Sequence, residues 1–348
     1  FIDAHSHSDD SIRRHPGAES RVHQGITTEV TGNCGYSAAP TPSGSEWSSV
    51  GSYFEALEEL GIASNQALLL GQGSLRRGVV GGDDRPATRE ELAAMKRLVE
   101  EGMEAGAWGL STGLEYAPGL FTPTDEIVEL ARTAARRGGI YATHMRNEEA
   151  GLASAVDEAL DVGRRSGARV EISHLKAAGR PNWPLLESAI ERIERARDDG
   201  VDVMADAYPY TAYATGLTIL LPSWARDGGR DAMLGRLADA AVRERILAEL
   251  PERIAGDPGG PELIRISAVE THVNRRFIGR TLRDVADELE TDPASALVLL
   301  LRLENGGVSY IGLAMSDANV ERVLSHPLVM IGSDGVSVAP EGPDAAWK

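Results

Sequence analysis

At 348 residues the chain can form one large α/β barrel or two ordinary domains, and 42% hydrophobic residues supply a sizeable core. A formal net charge of −18, from 53 acids against 35 bases, argues against nucleic acid or an anionic membrane as a partner. The apolar runs are too short to span a bilayer, and the single cysteine, Cys34, excludes an intrachain disulfide and fits a reducing, cytoplasmic compartment.

In chain order, strands are predicted at Phe1–Ala4, Thr27–Thr31, Ala67–Leu70, Trp108–Ser111, Ile140–Thr143, Arg169–Ser173, Val201–Ala205 and Leu328–Ile331. The chain opens on Phe1 inside the first of these, with no basic-then-apolar leader, and so reads as a piece of a longer protein. Helical patterns fill the gaps. One covers Thr88–Ala105, where Thr88 and Glu91 make a capping box and Leu92, Met95 and Val99 an apolar face. Another covers Pro184–Arg197, with Leu186, Ile190 and Ile193 on one side.

Eight strand–helix alternations predict an α/β fold of the (β/α)8 TIM-like barrel type. An open doubly wound sheet is second choice, since no Gly-rich phosphate fingerprint follows the first strand. The regularity breaks over residues 215–325, where helical stretches at Asp231–Leu250, Leu282–Leu289 and Ala294–Arg302 surround a strand-like Leu263–Ser267. This block is expected to be a small inserted subdomain. Residues 1–214 would then hold barrel strands one to seven, and 326–348 the eighth strand and a truncated C-terminus.

The chemistry-bearing residues follow a positional rule. Strand one runs into His5 and His7, strand two ("TTEVTGNCG") into Cys34, strand five ("IYATHMRNE") into His144. Strand six ("VEISHLK") runs into His174 and strand eight ("VMIGSDG") into Asp334. In a barrel these C-terminal strand ends share the face that carries active sites. Taken singly, each has an ordinary explanation as a core histidine, a buried thiol or a turn aspartate. Six at the same end of five of the strands point instead to a metal centre. His15, His23, His272 and His326 lie in other contexts and are read as structural.

HxH after strand one, single histidines after strands five and six, and Asp after strand eight resemble the amidohydrolase superfamily. The segments "GITTEVTGNCG", "GLSTGLEYAPG", "YATHMRNE", "ISHLKAAG", "DAYPYTA" and "MIGSDG" narrow the resemblance to the N-acyl-D-amino-acid deacylases, or D-aminoacylases. The resemblance implies a metallo-dependent hydrolase barrel that uses zinc to split N-acyl-D-amino acids. It implies a tight zinc site at Cys34, His144 and His174, a second, weaker position at His5 and His7, and Asp334 as general acid/base. The substrate's free carboxylate needs a cation, and Lys176, two residues beyond His174, is the candidate because its side chain should point into the same mouth. The resemblance further implies that Tyr208 and Tyr116 contact substrate, and Arg146 and Asn147 beside His144 are expected to support the ligands. The substrate is thus a small N-acyl amino acid, while the oligomeric state stays open.

The sequence also departs from the family pattern. Gln72 in "LLGQGSLR" stands where the resemblance leads one to expect histidine. The stretch after "GSDG" reads "VSVAPEGPDAAWK" in place of a basic, arginine-bearing segment, and the family's flanking β-sandwich is largely missing. Two alternatives therefore stand beside the deacylase reading. One is a related amidohydrolase (cyclic amidase, dipeptidase or deaminase), against which the "GNCG" cysteine argues. The other is a truncated zinc-binding barrel without turnover.

Overall fold

A computed structural model describes residues 1–41, 48–256 and 258–339; part of the C-terminal stretch noted above, residues 340–348, lies outside the described residues. Seven parallel strands come first: β1 (Ile2–Asp3), β2 (Thr28–Thr31), β3 (Asn65–Gly71), β4 (Gly109–Gly113), β5 (Ile140–His144), β6 (Arg169–Ile172) and β7 (Val203–Ala207). Next come β8 (Tyr213–Gly216), β9 (Ile264–Val269) and β10 (Val308–Gly312), and finally β11 (Val329–Ile331). The barrel sheet has the order β1-β2-β3-β4-β5-β6-β7-β11, all parallel, so every predicted strand is present and takes its expected place. Ala4 N donates to Ile331 O at 3.2 Å and His7 N to Gly335 O at 2.8 Å, and these bonds close the sheet on itself.

The central strands are rich in apolar residues because helices cover one face and the barrel interior the other, although β2, β6 and β7 also bury the acids Glu29, Glu171 and Asp206. In β3, Leu68, Leu69 and Leu70 are all fully buried. The helix Arg89–Glu104 starts at its expected capping box, Thr88 accepting from Glu91 N while the Glu91 carboxylate accepts from Thr88 N, and it buries Met95 and Val99. The helix Leu185–Asp198 buries Leu186, Ile190 and Ile193 as its spacing predicts.

Between β7 and β11 the chain makes a three-stranded antiparallel sheet, β8-β10-β9, over a separate core that includes Ile246, Leu250, Ile266, Leu297, Leu300 and Tyr310. The single helix expected at Asp231–Leu250 is two, Gly229–Ala238 and Ala240–Gly256, broken at Asp239, whose backbone is extended. Strands β8 and β10 are absent from the sequence reading. β8 is half exposed and has no alternation to detect, whereas "VSYIG" of β10 does alternate and sits between Gly306-Gly307 and Gly312. Among the described residues no helix is long and apolar enough to cross a membrane.

Candidate metal centre

The C-terminal ends of the barrel strands bring His5, His7, Cys34, His144, His174 and Asp334 together around one opening. Three of these residues leave their strands with left-handed backbones: Cys34 at φ 51°, His174 at φ 38° and Asp334 at φ 51°. Non-glycine residues adopt that region at a cost, so the surrounding contacts must hold them there. The packing leaves little slack. A methyl group at Gly113 would collide with the carbonyl oxygen of Cys34, and one at Gly332 would sit 2.5 Å from His5 Cβ.

Cys34 is the hub. Its Sγ lies 3.3 Å from His174 Nε2 and 3.5 Å from His5 Nε2. His144 Nδ1 lies 3.0 Å from the same His174 Nε2. Donor atoms of Cys34, His144 and His174 form one tight group, and those of His5, His7, Cys34 and Asp334 a second, so the thiol is shared. Asp334 Oδ1 is 3.0 Å from His7 Nε2 and 3.4 Å from His5 Nε2.

The outward nitrogen of each inner histidine is held by an acid. His5 Nδ1 meets Asp206 at 2.8 Å, His144 Nε2 meets Glu115 at 3.1 Å, and His174 Nδ1 meets Glu148 at 3.0 Å. At His5 and His144 a carboxylate on the far nitrogen fixes the ring and its tautomer and leaves the near nitrogen's lone pair facing the centre, whereas at His174 the far nitrogen faces both Glu148 and Lys176. One thiol and two imidazoles within reach of one point is a donor set suited to Zn²⁺, and the donors present therefore fit that ion.

The electrostatics agree. Burial opposes ionisation of Cys34, but the imidazoles of His174 and His5 outweigh it and draw the thiol well below its ordinary range. Burial likewise opposes a charge on His144, yet Glu148 and the hydrogen bonds to Cys34 and Glu115 lift it to about 10. Against burial, His5 and the hydrogen bond from His7 hold Asp334 down at about 2. Negative thiolate and carboxylates crowd here, and imidazoles supply the compensating positive charge. A divalent cation can replace those protons.

Lys176 also reaches the opening. Its Nζ is 2.5 Å from Glu148 Oε2, 2.9 Å from His174 Nδ1 and 5.6 Å from the centre of the Tyr208 ring. The buried Tyr208 hydroxyl lacks a well-formed hydrogen bond among the described residues. Tyr116 lies with its ring 4.6 Å from that of His144 and accepts from Thr215. Lys176, Tyr208 and Tyr116 all line the cavity of about 300 Å³ that exposes Cys34, His144 and His174. An adjoining cavity of about 500 Å³ shares Tyr36, Tyr116 and Ile219 and carries Arg77, Arg226 and Arg230, cations that no motif in the sequence pointed to.

Arg146 and Asn147 serve a different end from the one expected. Arg146 pairs with Glu158 and the carbonyls of Leu120 and Thr122, and Asn147 caps Glu149 and Gly151, so both brace the loop after β5 without touching a ligand-type residue. The acids that touch the histidines, Asp206, Glu115 and Glu148, were missed. Asp206 was within reach of the positional rule, since it lies at the end of β7; Glu148 sits only four residues past His144. Gln72 is buried and donates to Thr122 Oγ1 at 2.9 Å.

Fold and site together make a parallel eight-stranded barrel with a cluster of metal-ligand-type residues at the C-terminal ends of its strands. No family model matches the chain. It is 34% identical over 362 residues to an N-acyl-D-aspartate deacylase of Alcaligenes xylosoxydans xylosoxydans, covering 100% of this chain and 64% of that protein. A D-aminoacylase of the same organism is 33% identical over 357 residues, covering 97% and 63%. The crystal structure of an N-acyl-D-glutamate deacylase from Bordetella bronchiseptica, complexed with zinc and a phosphonate mimic of the tetrahedral intermediate, superposes with a TM-score of 0.80 at 32% identity, covering 96% of this chain and 64% of that one. A D-aminoacylase crystal structure gives 0.78 at 30%, with the same coverage. The chain is thus a homologue of the N-acyl-D-amino-acid deacylases, and it spans just under two thirds of the length of the relatives it matches.

Proposed function

We propose that this chain carries the hydrolytic site of a zinc-dependent N-acyl-D-amino-acid deacylase, which splits the amide to a carboxylate and a free D-amino acid. The observation that carries the reading is the convergence of Cys34, His144 Nδ1 and His174 Nε2, with the outward nitrogens of both histidines on carboxylates. These three residues would hold the tight zinc, and His5, His7 and Asp334, sharing Cys34, a second and weaker one. Zinc bound there supplies Lewis acidity to the amide carbonyl and acidity to water.

The protein's own groups do the rest. Asp334, ionised and directed at the opening, takes the proton of the attacking water and passes it to the leaving amine. Lys176, anchored by Glu148, presents its charge to the substrate carboxylate. Tyr208 and Tyr116 donate to substrate oxygens and shield the site from bulk water. Asp206, Glu115 and Glu148 keep the histidines in register. The 215–325 block is read as an insertion whose first strand, β8, supplies Thr215 to the cavity wall. The net negative charge argues against nucleic acid or an anionic membrane as a partner, and the lone free thiol fits a cytoplasmic enzyme.

The test pairs metal analysis with acetate release from N-acetyl-D-amino acids and their L-enantiomers. Bound zinc with D-selective release is the expected result. Zinc without turnover would favour the truncated-barrel alternative, and release from cyclic amides another amidohydrolase.

A further inference from the structure

The barrel closes at its least regular seam. β1 has two residues and β11 three, and the bonds that bind them lie mostly beyond the strands. At this seam sits a buried ionic cluster that no step of the proposed reaction uses. Arg21 is 4% exposed, Asp3 3% and Glu29 0%. Arg21 Nη1 donates to Ser333 Oγ at 2.8 Å and lies 3.4 Å from Asp3 Oδ2, while its Nε is 3.1 Å from Glu29 Oε1.

The carboxylates in turn grip the backbone that carries the site. Asp3 Oδ1 accepts from His5 N at 3.2 Å and from Ser333 N at 2.8 Å, so one oxygen spans both sides of the seam. Glu29 Oε1 accepts from Ser6 Oγ at 2.9 Å and Ser8 Oγ at 2.6 Å, the residues flanking His7. Ser333 Oγ also accepts from Gly335 N at 3.1 Å, and His5 O accepts from Asp334 N at 2.8 Å. Asp334 is therefore pinned on both neighbours and at its own N–H while its backbone is held left-handed.

Three buried charges are costly to assemble, and packing alone would be served as well by apolar side chains of similar volume. What apolar residues could not do is fix two N–H groups and three hydroxyls in one register. We propose that Arg21, acting through Asp3, Glu29 and Ser333, is a positioning residue that sets Asp334 against His5 and His7. The proposal rests on the reading of Asp334 as the proton-transfer group. Without Arg21, Asp3 and Glu29 face each other unneutralised, Ser333 loses its anchor, and Asp334 drifts from its 3.0 Å approach to His7.

The test uses Arg21→Met, Arg21→Lys and Ser333→Ala in the zinc-loaded protein. A misplacement of the order of an ångström costs about a hundredfold in rate. Arg21→Met is expected to lower kcat by about that factor with KM unchanged, Ser333→Ala by about tenfold, and Arg21→Lys to recover most of the loss. In an Asp334→Asn background, Arg21→Met should lower kcat no further. Loss of thermal stability with kcat intact, or full additivity with Asp334→Asn, overturns the proposal. Should Arg21→Met fail to fold, Ser333→Ala carries the same comparison.

A readout independent of turnover is zinc binding by equilibrium dialysis. Ser333→Ala should weaken the second zinc and leave the first unchanged, whereas equal loss of both, or of neither, counts against the seam. If the unaltered protein hydrolyses no N-acyl-D-amino acid, the proposed function fails by itself, and dialysis still decides the seam.

Discussion

Cys34 Sγ lies 3.3 Å from His174 Nε2 although 140 residues separate them in the chain. The contact exists because β2 and β6 end on the same rim of the barrel, and both residues leave their strands through left-handed backbones. The thiol belongs to both donor groups, so its removal tests the whole centre.

Cys34→Ala is expected to abolish tight zinc binding and with it any hydrolysis, while His7→Ala spares the tight zinc. Zinc content after dialysis, with circular dichroism as a folding control, checks both. Retention of one equivalent of zinc by Cys34→Ala would remove the cysteine from the ligand set.

Asp334→Asn keeps the shape and the backbone contacts of the side chain but cannot take a proton. Loss of a general base typically costs 10²–10⁴-fold, so kcat should fall by about that range with the tight zinc retained. Near-normal turnover by this variant would assign the proton transfer elsewhere.

Asp206→Asn tests the carboxylates behind the histidines. Asp206 Oδ2 holds His5 Nδ1 at 2.8 Å and Oδ1 accepts from His174 N at 2.8 Å, so one side chain orients residues of both donor groups. Comparable supporting contacts are worth about 10–100-fold in metal affinity. Competition against a zinc chelator measures the loss.

Arg76 and Glu126 pair at 2.6 Å, away from the site, with side chains 0% and 5% exposed. Removing one partner of a buried pair leaves an uncompensated charge, so Arg76→Met should cost about 3–5 kcal/mol. Arg76→Met with Glu126→Leu should recover most of that. Urea unfolding of the two variants makes the comparison, and equal stabilities would deny the coupling.

Glu91 gives an acid-limb prediction. Arg85 and the capping hydrogen bonds from Thr88 hold its carboxyl at about 2 rather than 4.5. A depressed carboxyl contributes stability that is fully present above pH 4.5 and lost as pH falls toward about 2. Glu91→Gln should therefore be less stable than the unaltered chain at pH 7, with the gap closing over that window. A gap independent of pH would contradict it.

The barrel strands were legible because short, largely apolar or β-branched runs alternate with helical patterns, "ALLL" of the buried β3 being the plainest. His5, His7, Cys34, His144, His174 and Asp334 were legible because the barrel places strand ends on one rim whatever the helices between them contain. Thr88 and Glu91 were legible because a capping box is local. Strand β8 was not, since "YATG" is half exposed and gains its pairing only from β10, where Gly216 meets Ser309 far along the chain.

The tertiary structure alone decided which acid serves which histidine. Asp206, Glu115 and Glu148 are three carboxylates among 53 acidic residues, and although Asp206 lies at a strand end, nothing in the local sequence assigns each to its histidine. Only closure of the barrel sets each beside an imidazole nitrogen, and only closure buries Arg21 between Asp3 and Glu29. The sequence by itself determined which histidines, cysteine and aspartate meet on the rim, because strand ends in this fold are positions in a pattern of period and length. It left their orientation open, because hydrogen bonds across the barrel depend on register and distance, which residues far apart in the chain settle only once they are packed.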